Sequence, residues 1–422
     1  MYAYFNSVFK ILILVCGLAP LAMISDNTRA VVATLIFLIS MVNFLVISKS
    51  RLAEINVYIF TIYILFFPSL IIRYFVLPVT DIFIFALVCL LVGHISMLIT
   101  YICMDSLITR RQRVYEKCAR STKLKRRYVI LLFIIISAVM IRSYTRVGLP
   151  DIEPTVQFSG VIFYLLVNGL QIIIFVMSAR AIAEDRLLMA CMIALSYGVY
   201  QAFFGWRIGL LDSIIIIYFL FYFYKPNVSV GKFLLVFTLS LCALQLVVML
   251  EDAIRVGANK SIIHAFLRID YFGYLMTCFE PGASLHLIDT NNFLRIINGT
   301  VTASEIHNKE LMGEYRKNGL SSSGFGSMYI TGGLLFVFFT CTSIAAAVSL
   351  GKAASLKWLA INIADDSITF ATVSFLSFWV LKRFAVSSFG FGALKEVIAT
   401  ILLALVIIKV NKVRLKWKNL YI

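Results

Sequence analysis

The sequence is dominated by apolar runs that are long enough to cross a membrane as helices. A bilayer core of roughly 30 Å needs about 20 apolar residues per helix. Of the 422 residues, 61% are hydrophobic and only 14% are charged, whereas a typical soluble domain has about 25% charged residues. This composition excludes a soluble enzyme, a disordered chain and a collagen-like chain. We place about twelve spans, at 8–24, 30–48, 56–77, 80–103, 128–142, 157–178, 187–204, 208–224, 233–250, 327–350, 367–381 and 394–410.

These runs predict an all-α, polytopic membrane protein with one transmembrane domain over residues 1–422. An even number of spans puts both termini on one side of the membrane. Lysine and arginine concentrate in the segments on that side, above all in 104–127, which carries nine basic residues. Because cytoplasmic loops are enriched in basic residues, we predict cytoplasmic termini and a basic cytoplasmic loop at 104–127. The net charge of +17 then reflects topology and anionic lipid, with no nucleic acid as partner.

One long polar segment interrupts the series of spans. Residues 251–326 lie between the ninth and tenth spans, on the side opposite the termini. Within them, residues 261–276 have apolar positions at helical spacing, and a second helix is predicted from about 304 to 319. We predict a large outer loop whose amphipathic helices lie at the membrane surface. Chemistry on the outer side of the membrane would use this loop.

Arginines recur where the predicted spans meet the outer side. Three of them begin the same Arg-x-Gly pattern, at 146–148, 207–209 and 255–257. The planar guanidinium group matches phosphate oxygens, and a glycine two residues later lets a bulky ligand approach the backbone. Several such guanidinium groups together could bind a diphosphate headgroup. Any single arginine also has a structural explanation, in which its long side chain extends to the membrane–water interface. The predicted diphosphate-binding residues are Arg142, Arg146, Arg207, Arg255 and Arg268.

Three of the four histidines, His264, His286 and His307, lie in the 251–326 segment. A loop histidine titrates near neutral pH and can take a proton from a sugar hydroxyl. The alternative for each is a solvated loop residue without a role in chemistry. His264 precedes Arg268 by four residues, so the two share a face if the segment is helical.

Two polar residues inside predicted spans have structural interpretations. His94 lies within the fourth span, where we expect it to be hydrogen-bonded in helix packing. Asp212 lies near the start of the eighth span, where we expect it to be the counter-ion of Arg207 or of another arginine. The sequence has no nucleotide-binding P-loop, no Asp-x-Asp or HEXXH motif and no Cys-x-x-Cys pair, so we predict no metal and no cofactor.

Two short motifs and the layout of spans resemble one family. Arg207 to Leu211 reads RIGLL and leads into a span, and residues 321–333 read SSSGFGSMYITGG at the point where the long loop returns to the membrane. Arg268-Ile269-Asp270-Tyr271 forms an Arg-x-Asp stretch in the loop. With many spans, both ends inside and one large outer loop late in the chain, the sequence resembles the Wzy-type O-antigen polymerases of bacterial envelopes.

The resemblance implies a metal-independent glycosyltransferase in the bacterial inner membrane, with its active site facing the periplasm. Its substrate would be an oligosaccharide repeat unit on undecaprenyl diphosphate, and a chain-length regulator protein would be a further partner. Because a diphosphate leaves as a stabilised anion, the site needs positive charge at the anion and a base at the acceptor hydroxyl. We expect the base to be His264, or else Asp270 or His286.

Two other functions fit the same features. The first is a transporter, such as the flippase that moves lipid-linked units, although the long loop and the lack of similarity between the two halves argue against it. The second is the ligase that attaches finished polysaccharide to lipid A core, which would differ from a polymerase only in its acceptor.

Overall fold

The computed structural model describes residues 2–50, 52–109, 160–184, 186–203, 208–224, 271–279, 323–359, 367–386 and 391–418. Over these ranges the secondary structure is entirely helical, which confirms the all-α prediction for them. A short 3₁₀ turn at Ala19–Met23 follows the first helix. The helices are α1 (Tyr2–Leu18), α2 (Asn27–Lys49), α3 (Ala53–Val76), α4 (Asp81–Thr109), α5 (Gly160–Ala183), α6 (Leu187–Phe203), α7 (Ile208–Tyr224), α8 (Tyr271–Thr277), α9 (Gly324–Trp358), α10 (Ser367–Val386) and α11 (Phe391–Lys418).

Five helices of the described ranges are long and apolar enough to cross a membrane: Asn27–Lys49, Ala53–Val76, Asp81–Ile108, Gly324–Trp358 and Ile368–Val386. A helix overlaps each of our predicted spans except 128–142 and 233–250, which lie outside the described residues. The chain therefore carries the apolar helices of a membrane protein. The number of spans, the side of the termini, the basic loop at 104–127 and the outer loop at 251–326 stay predictions.

Helices α3 and α10 form the centre of the described bundle. Of the most apolar part of each helix, 78% in α3 and 94% in α10 is buried inside the protein. Aromatic rings fill the space around α10, where Phe375 stacks on Phe175 of α5 with ring centroids 4.0 Å apart, and Phe219 of α7 packs edge to face with Phe375 at a centroid distance of 5.5 Å. Such rings bury large apolar areas in preferred geometries. The packing brings α5, α7 and α10 into one aromatic core.

Helix α9 is broken near its start. Gly332 and Gly333 have non-helical backbone angles, and Gly333 has φ +72° and ψ −170°, a region that is essentially restricted to glycine. Across the break, the sulfur atoms of Met328 and Cys341 lie 3.6 Å apart. Thirteen residues of straight helix would separate them by about 20 Å. The two parts of α9 therefore fold back on each other.

We call residues 323–331 the re-entrant limb. Every one of them is buried except Tyr329, which is half-buried. The part of α9 after the break is largely exposed and presents Leu335, Phe338 and Phe339 on its surface. The sequence predicted a span from 327 to 350, whereas the helix starts at Gly324, turns at the glycine pair and continues to Trp358.

Candidate functional site

The residues that the sequence predicts to bind the diphosphate or to transfer the proton all lie outside the described part of the chain. The structure therefore neither brings them together nor separates them, and their roles stay predictions. They are Arg142, Arg146, Arg207, Arg255 and Arg268 for the diphosphate, and His264, Asp270 and His286 for proton transfer.

The prediction for His94 is confirmed. Its ring is fully buried in α4, and its Nε2 atom lies 2.7 Å from the Oδ1 atom of Asn43 on α2. The ring also stacks on Tyr58 of α3, with centroids 5.5 Å apart. His94 thus links three helices through polar and ring contacts, as expected for a histidine in helix packing.

Asp212 is also in a structural pair, but its partner is a lysine. The carboxylate, buried at the start of α7, accepts a hydrogen bond from the ammonium group of Lys382 near the end of α10. Arg207, which the sequence offered as a partner, lies outside the described residues. The sequence did not indicate Lys382, because the two residues are 170 positions apart and nothing local couples them.

A second ion pair lies directly beside the first. The Nη2 atom of Arg383 is 2.9 Å from the Oε2 atom of Glu396 on α11. The Arg383 side chain keeps 27% of its surface exposed, while that of Glu396 keeps 11%. We call Asp212, Lys382, Arg383 and Glu396 the outer charge cluster, because they lie at the end of the bundle that the charge distribution predicts to face outward.

Tyr271 of α8 lies within the electrostatic reach of this cluster. Burial raises the pKa of its hydroxyl; Tyr274 and Asp212 add to the effect, and Arg383 opposes it. The phenol therefore stays uncharged at neutral pH. The Tyr271 ring lies 5.9 Å from that of Phe66 on α3, so the short helix is seated on the transmembrane core.

The re-entrant limb packs against the same end of α10. Its first helical residue, Gly324, is so close to the chain that a methyl group there would overlap the carbonyl oxygen of Phe384. Ser323 caps the limb, because its Oγ atom accepts a hydrogen bond of 3.1 Å from the Gly326 backbone. The limb thus places the first described residues of the Ser/Gly motif, Ser323 and Gly324, next to the outer charge cluster.

The opposite end of the bundle holds a second buried group of charges. The Nζ atom of Lys352 on α9 lies 2.5 Å from Glu54 Oε1 on α3 and 2.9 Å from Asp105 Oδ1 on α4. The Tyr101 hydroxyl donates a 3.0 Å hydrogen bond to the same Glu54 oxygen. All three charged side chains are at most 6% exposed. We call Glu54, Asp105 and Lys352 the inner charge cluster.

The sequence analysis missed this cluster. It assigned Lys352 to a cytoplasmic loop after a span ending at residue 350, whereas the helix runs on to Trp358 and buries the lysine. Glu54 and Asp105 could have indicated such a cluster, because they are acidic residues at the inner ends of spans, where basic residues are expected. Among the described residues, no group of three or more His, Cys, Asp or Glu side chains is placed to hold a metal ion.

In comparisons with known proteins, no family model, curated protein or solved structure matches the chain.

Proposed function

We propose that the chain is an integral-membrane glycosyltransferase that joins oligosaccharide repeat units carried on undecaprenyl diphosphate. It acts at the periplasmic face of the bacterial inner membrane and makes an O-antigen or capsular-type polysaccharide. The proposal rests on the resemblance to Wzy-type polymerases and on the membrane helices, and it includes a chain-length regulator as a partner.

The observation that supports this proposal most is the position of the re-entrant limb. The limb carries described residues of the Ser/Gly motif on which the resemblance partly rests, and it packs on Phe384 and Ala385, which directly follow Lys382 and Arg383 in the chain. A lipid-linked diphosphate keeps its phosphates at the membrane surface and its chain among the spans. A site for it therefore needs cations at the end of a bundle, next to backbone that enters the bundle.

The proposed reaction is one displacement. The acceptor hydroxyl oxygen forms a bond to the anomeric carbon of the donor sugar, and the bond from that carbon to the diphosphate oxygen breaks. The hydroxyl proton goes to the base, His264, Asp270 or His286 in the loop. The diphosphate leaves with the electron pair, and its negative charge is stabilised by Arg142, Arg146, Arg207, Arg255 and Arg268.

Gene deletion in the host tests the function. A polymerase deletion removes the polysaccharide ladder on a gel but keeps single-repeat bands. Loss of all polysaccharide on the lipid points instead to the ligase or the flippase, and would refute the polymerase proposal.

Single substitutions test the site. Arg207→Ala and Arg268→Ala should each abolish the ladder with unchanged protein abundance, because each removes a cation from the diphosphate. Arg180→Ala is the matched control: Arg180 pairs at 2.8 Å with Glu184, the residue after the end of α5, at the predicted inner end. Normal ladders from both outer variants would remove the diphosphate role.

A transporter of the lipid-linked unit is a second candidate, and two observations favour it. Broken helices and buried charges are typical of transporters. Helix α9 is broken, and the inner charge cluster is a buried group of charges, although it lies at the end of the bundle. In a flippase deletion, lipid-linked single units accumulate on the cytoplasmic side, and no single-repeat band reaches the surface. The same gel therefore distinguishes a polymerase from a transporter.

A further inference from the structure

The inner charge cluster is too costly to be explained by stability alone. Each buried ion loses several kcal/mol of solvation, and replacing such groups by apolar side chains often leaves a protein equally or more stable. Lys352, Glu54 and Asp105 nevertheless lie together, almost without exposure, where α3 begins and α9 and α4 end. Ionisable residues retained in such places usually serve ion or proton pathways.

A line of buried polar residues leads from this cluster toward the centre of the bundle. On α3, Tyr58 follows Glu54 by four residues and shares its face; on α4, His94 precedes Tyr101 by seven and shares its face. The two lines meet where the Tyr58 and His94 rings stack. The line therefore joins the inner end to the middle of α4.

Two atoms on this line have no hydrogen-bond partner among the residues that the structure describes. They are the Tyr58 hydroxyl and the Nδ1 atom of His94, and both residues are fully buried. Buried polar atoms are normally satisfied, so such exceptions call for a functional explanation. Both groups can donate and accept a hydrogen bond, as a group that passes on a proton must.

The side chains around the cluster favour a proton over a metal cation. Two carboxylates approach one ammonium group, which occupies the position that a metal ion would need between them. The cluster's described neighbours include the Tyr101 hydroxyl on Glu54, and the rings of Phe370 and Tyr101 at 5.7 and 5.9 Å from the ammonium group. A proton needs no new coordination sphere, because it binds to a carboxylate oxygen directly.

Near His94, the surrounding groups are uncharged. Asn43 faces it from α2 and Tyr58 from α3. The Cys341 thiol of α9 lies within electrostatic reach of Tyr58. The described surroundings therefore offer His94 hydrogen-bonding groups and no fixed charge.

We propose that the inner charge cluster is a proton-binding site at the predicted cytoplasmic end of the bundle, and that Tyr58 and His94 extend it to the middle of the bundle. One proton from a hydronium ion binds to a carboxylate oxygen of Glu54 or Asp105, which becomes a neutral carboxylic acid, and leaves by the reverse step. Lys352 stays an ammonium ion and positions the two carboxylates. The proposal is independent of the polymerase assignment.

Infrared difference spectroscopy on the full chain in lipid nanodiscs tests the site. Between mildly alkaline and mildly acidic buffer, we expect a carboxylate band to be replaced by the carbonyl band of a protonated acid. Glu54→Gln and Asp105→Asn should each remove or displace that band. Glu184→Gln is the control, because Glu184 lies at a helix end outside both charge clusters and its loss should leave the band in place.

A milder variant keeps the test informative if a charge variant does not fold. Tyr101→Phe keeps every charge and removes the hydrogen bonds of the hydroxyl with Glu54 and Ser377. Losing this donor should shift the frequency of the Glu54 carboxylate band in the difference spectrum. A carboxylate with a purely structural role takes up no proton and contributes no band to that spectrum. A wild-type chain without the acid band, or a difference spectrum unchanged in Tyr101→Phe, overturns the proposal.

The extension to His94 has its own readout. The chain has four histidines, so ¹⁵N-histidine labelling with His94→Asn as the assignment variant identifies its ring signal. We expect the ring N–H of His94 to exchange with deuterated water at least tenfold more slowly in Tyr58→Phe than in wild type. Equal exchange in both would exclude Tyr58 from the path.

Discussion

At the scale of the residue, buried ion pairs need both partners. Lys382 and Asp212 are each less than a tenth exposed, so removing either leaves a charge without compensation in a region of low polarity. Breaking a buried pair in this way costs about 3–5 kcal/mol. An exposed pair within a helix contributes only about 0.3–0.5 kcal/mol.

We therefore expect Lys382→Met to lower the free energy of unfolding by about 3 kcal/mol, measured by denaturant titration in detergent. The double variant Lys382→Met with Asp212→Asn should recover much of that loss, since it removes the isolated charge. Glu184→Ala, which breaks the more exposed Arg180 pair, should change it by less than about 1 kcal/mol. Equal losses in the single and double variants would contradict this account.

The backbone at Gly333 makes a second residue-scale prediction. An added Cβ there would meet no atom within 4 Å, so only the backbone conformation opposes a side chain. Gly333→Ala should destabilise the chain by about 1–3 kcal/mol. Gly351→Ala adds its Cβ into equally open space but within regular helix, and should be neutral or stabilise by up to about 1 kcal/mol. The same denaturant titration measures both, and similar results would remove the conformational explanation.

The structural role of some residues could be predicted from the sequence and that of others could not, for a physical reason. His94 was predictable because an imidazole within an apolar run must find a partner in its immediate surroundings. Lys352 was misplaced because hydropathy marks where an apolar run ends and does not report where a helix ends. The pairing of Lys382 with Asp212 depends on how α7 and α10 pack, which no local pattern contains.

At the scale of the element, the fold-back of α9 is the feature that a span prediction cannot contain. The pair Gly332-Gly333 was visible in the sequence, but hydropathy depends on composition and is the same for a straight helix and a folded one. The direction of the limb is set by contacts with distant helices, such as the close approach of Gly324 to Phe384.

A cysteine pair tests the fold-back. In Met328→Cys, the new thiol lies opposite the native Cys341, and mild oxidation should join them, as shown by disulfide-linked chymotryptic peptides in mass spectrometry. A straight helix would hold these positions about 20 Å apart, well beyond the reach of a disulfide. The control is Met328→Cys with Cys341→Ser, which should lose the linked peptide. Failure to cross-link in the folded protein would contradict the re-entrant limb.

At the scale of the whole molecule, charged clusters lie at two ends of one bundle. Helix α10 touches both, since Phe370 lies against Lys352 and Lys382 pairs with Asp212. These two positions of α10 are about 18 Å apart along the helix. The described helices are thus held together by charged clusters toward both ends of the bundle, with aromatic packing between them.

The predicted topology can be tested with reporter fusions. Alkaline phosphatase is active only outside the cytoplasm, so it should be active when inserted within 251–326 and inactive within 104–127 or after residue 418. Green fluorescent protein, which fluoresces only in the cytoplasm, should give the reverse pattern. The same signal from both loops would refute the orientation, and with it a periplasmic active site.

The re-entrant limb also constrains how the protein is made. Ribosomes add about 5–20 residues per second, and Phe384 follows Gly324 by about sixty residues. The limb therefore leaves the ribosome several seconds before the helix that will receive it. During that interval its capped end lacks part of its docking surface, so the limb can dock completely only after α10 has been made. A chain truncated before α10 would leave the limb without its contact at Phe384.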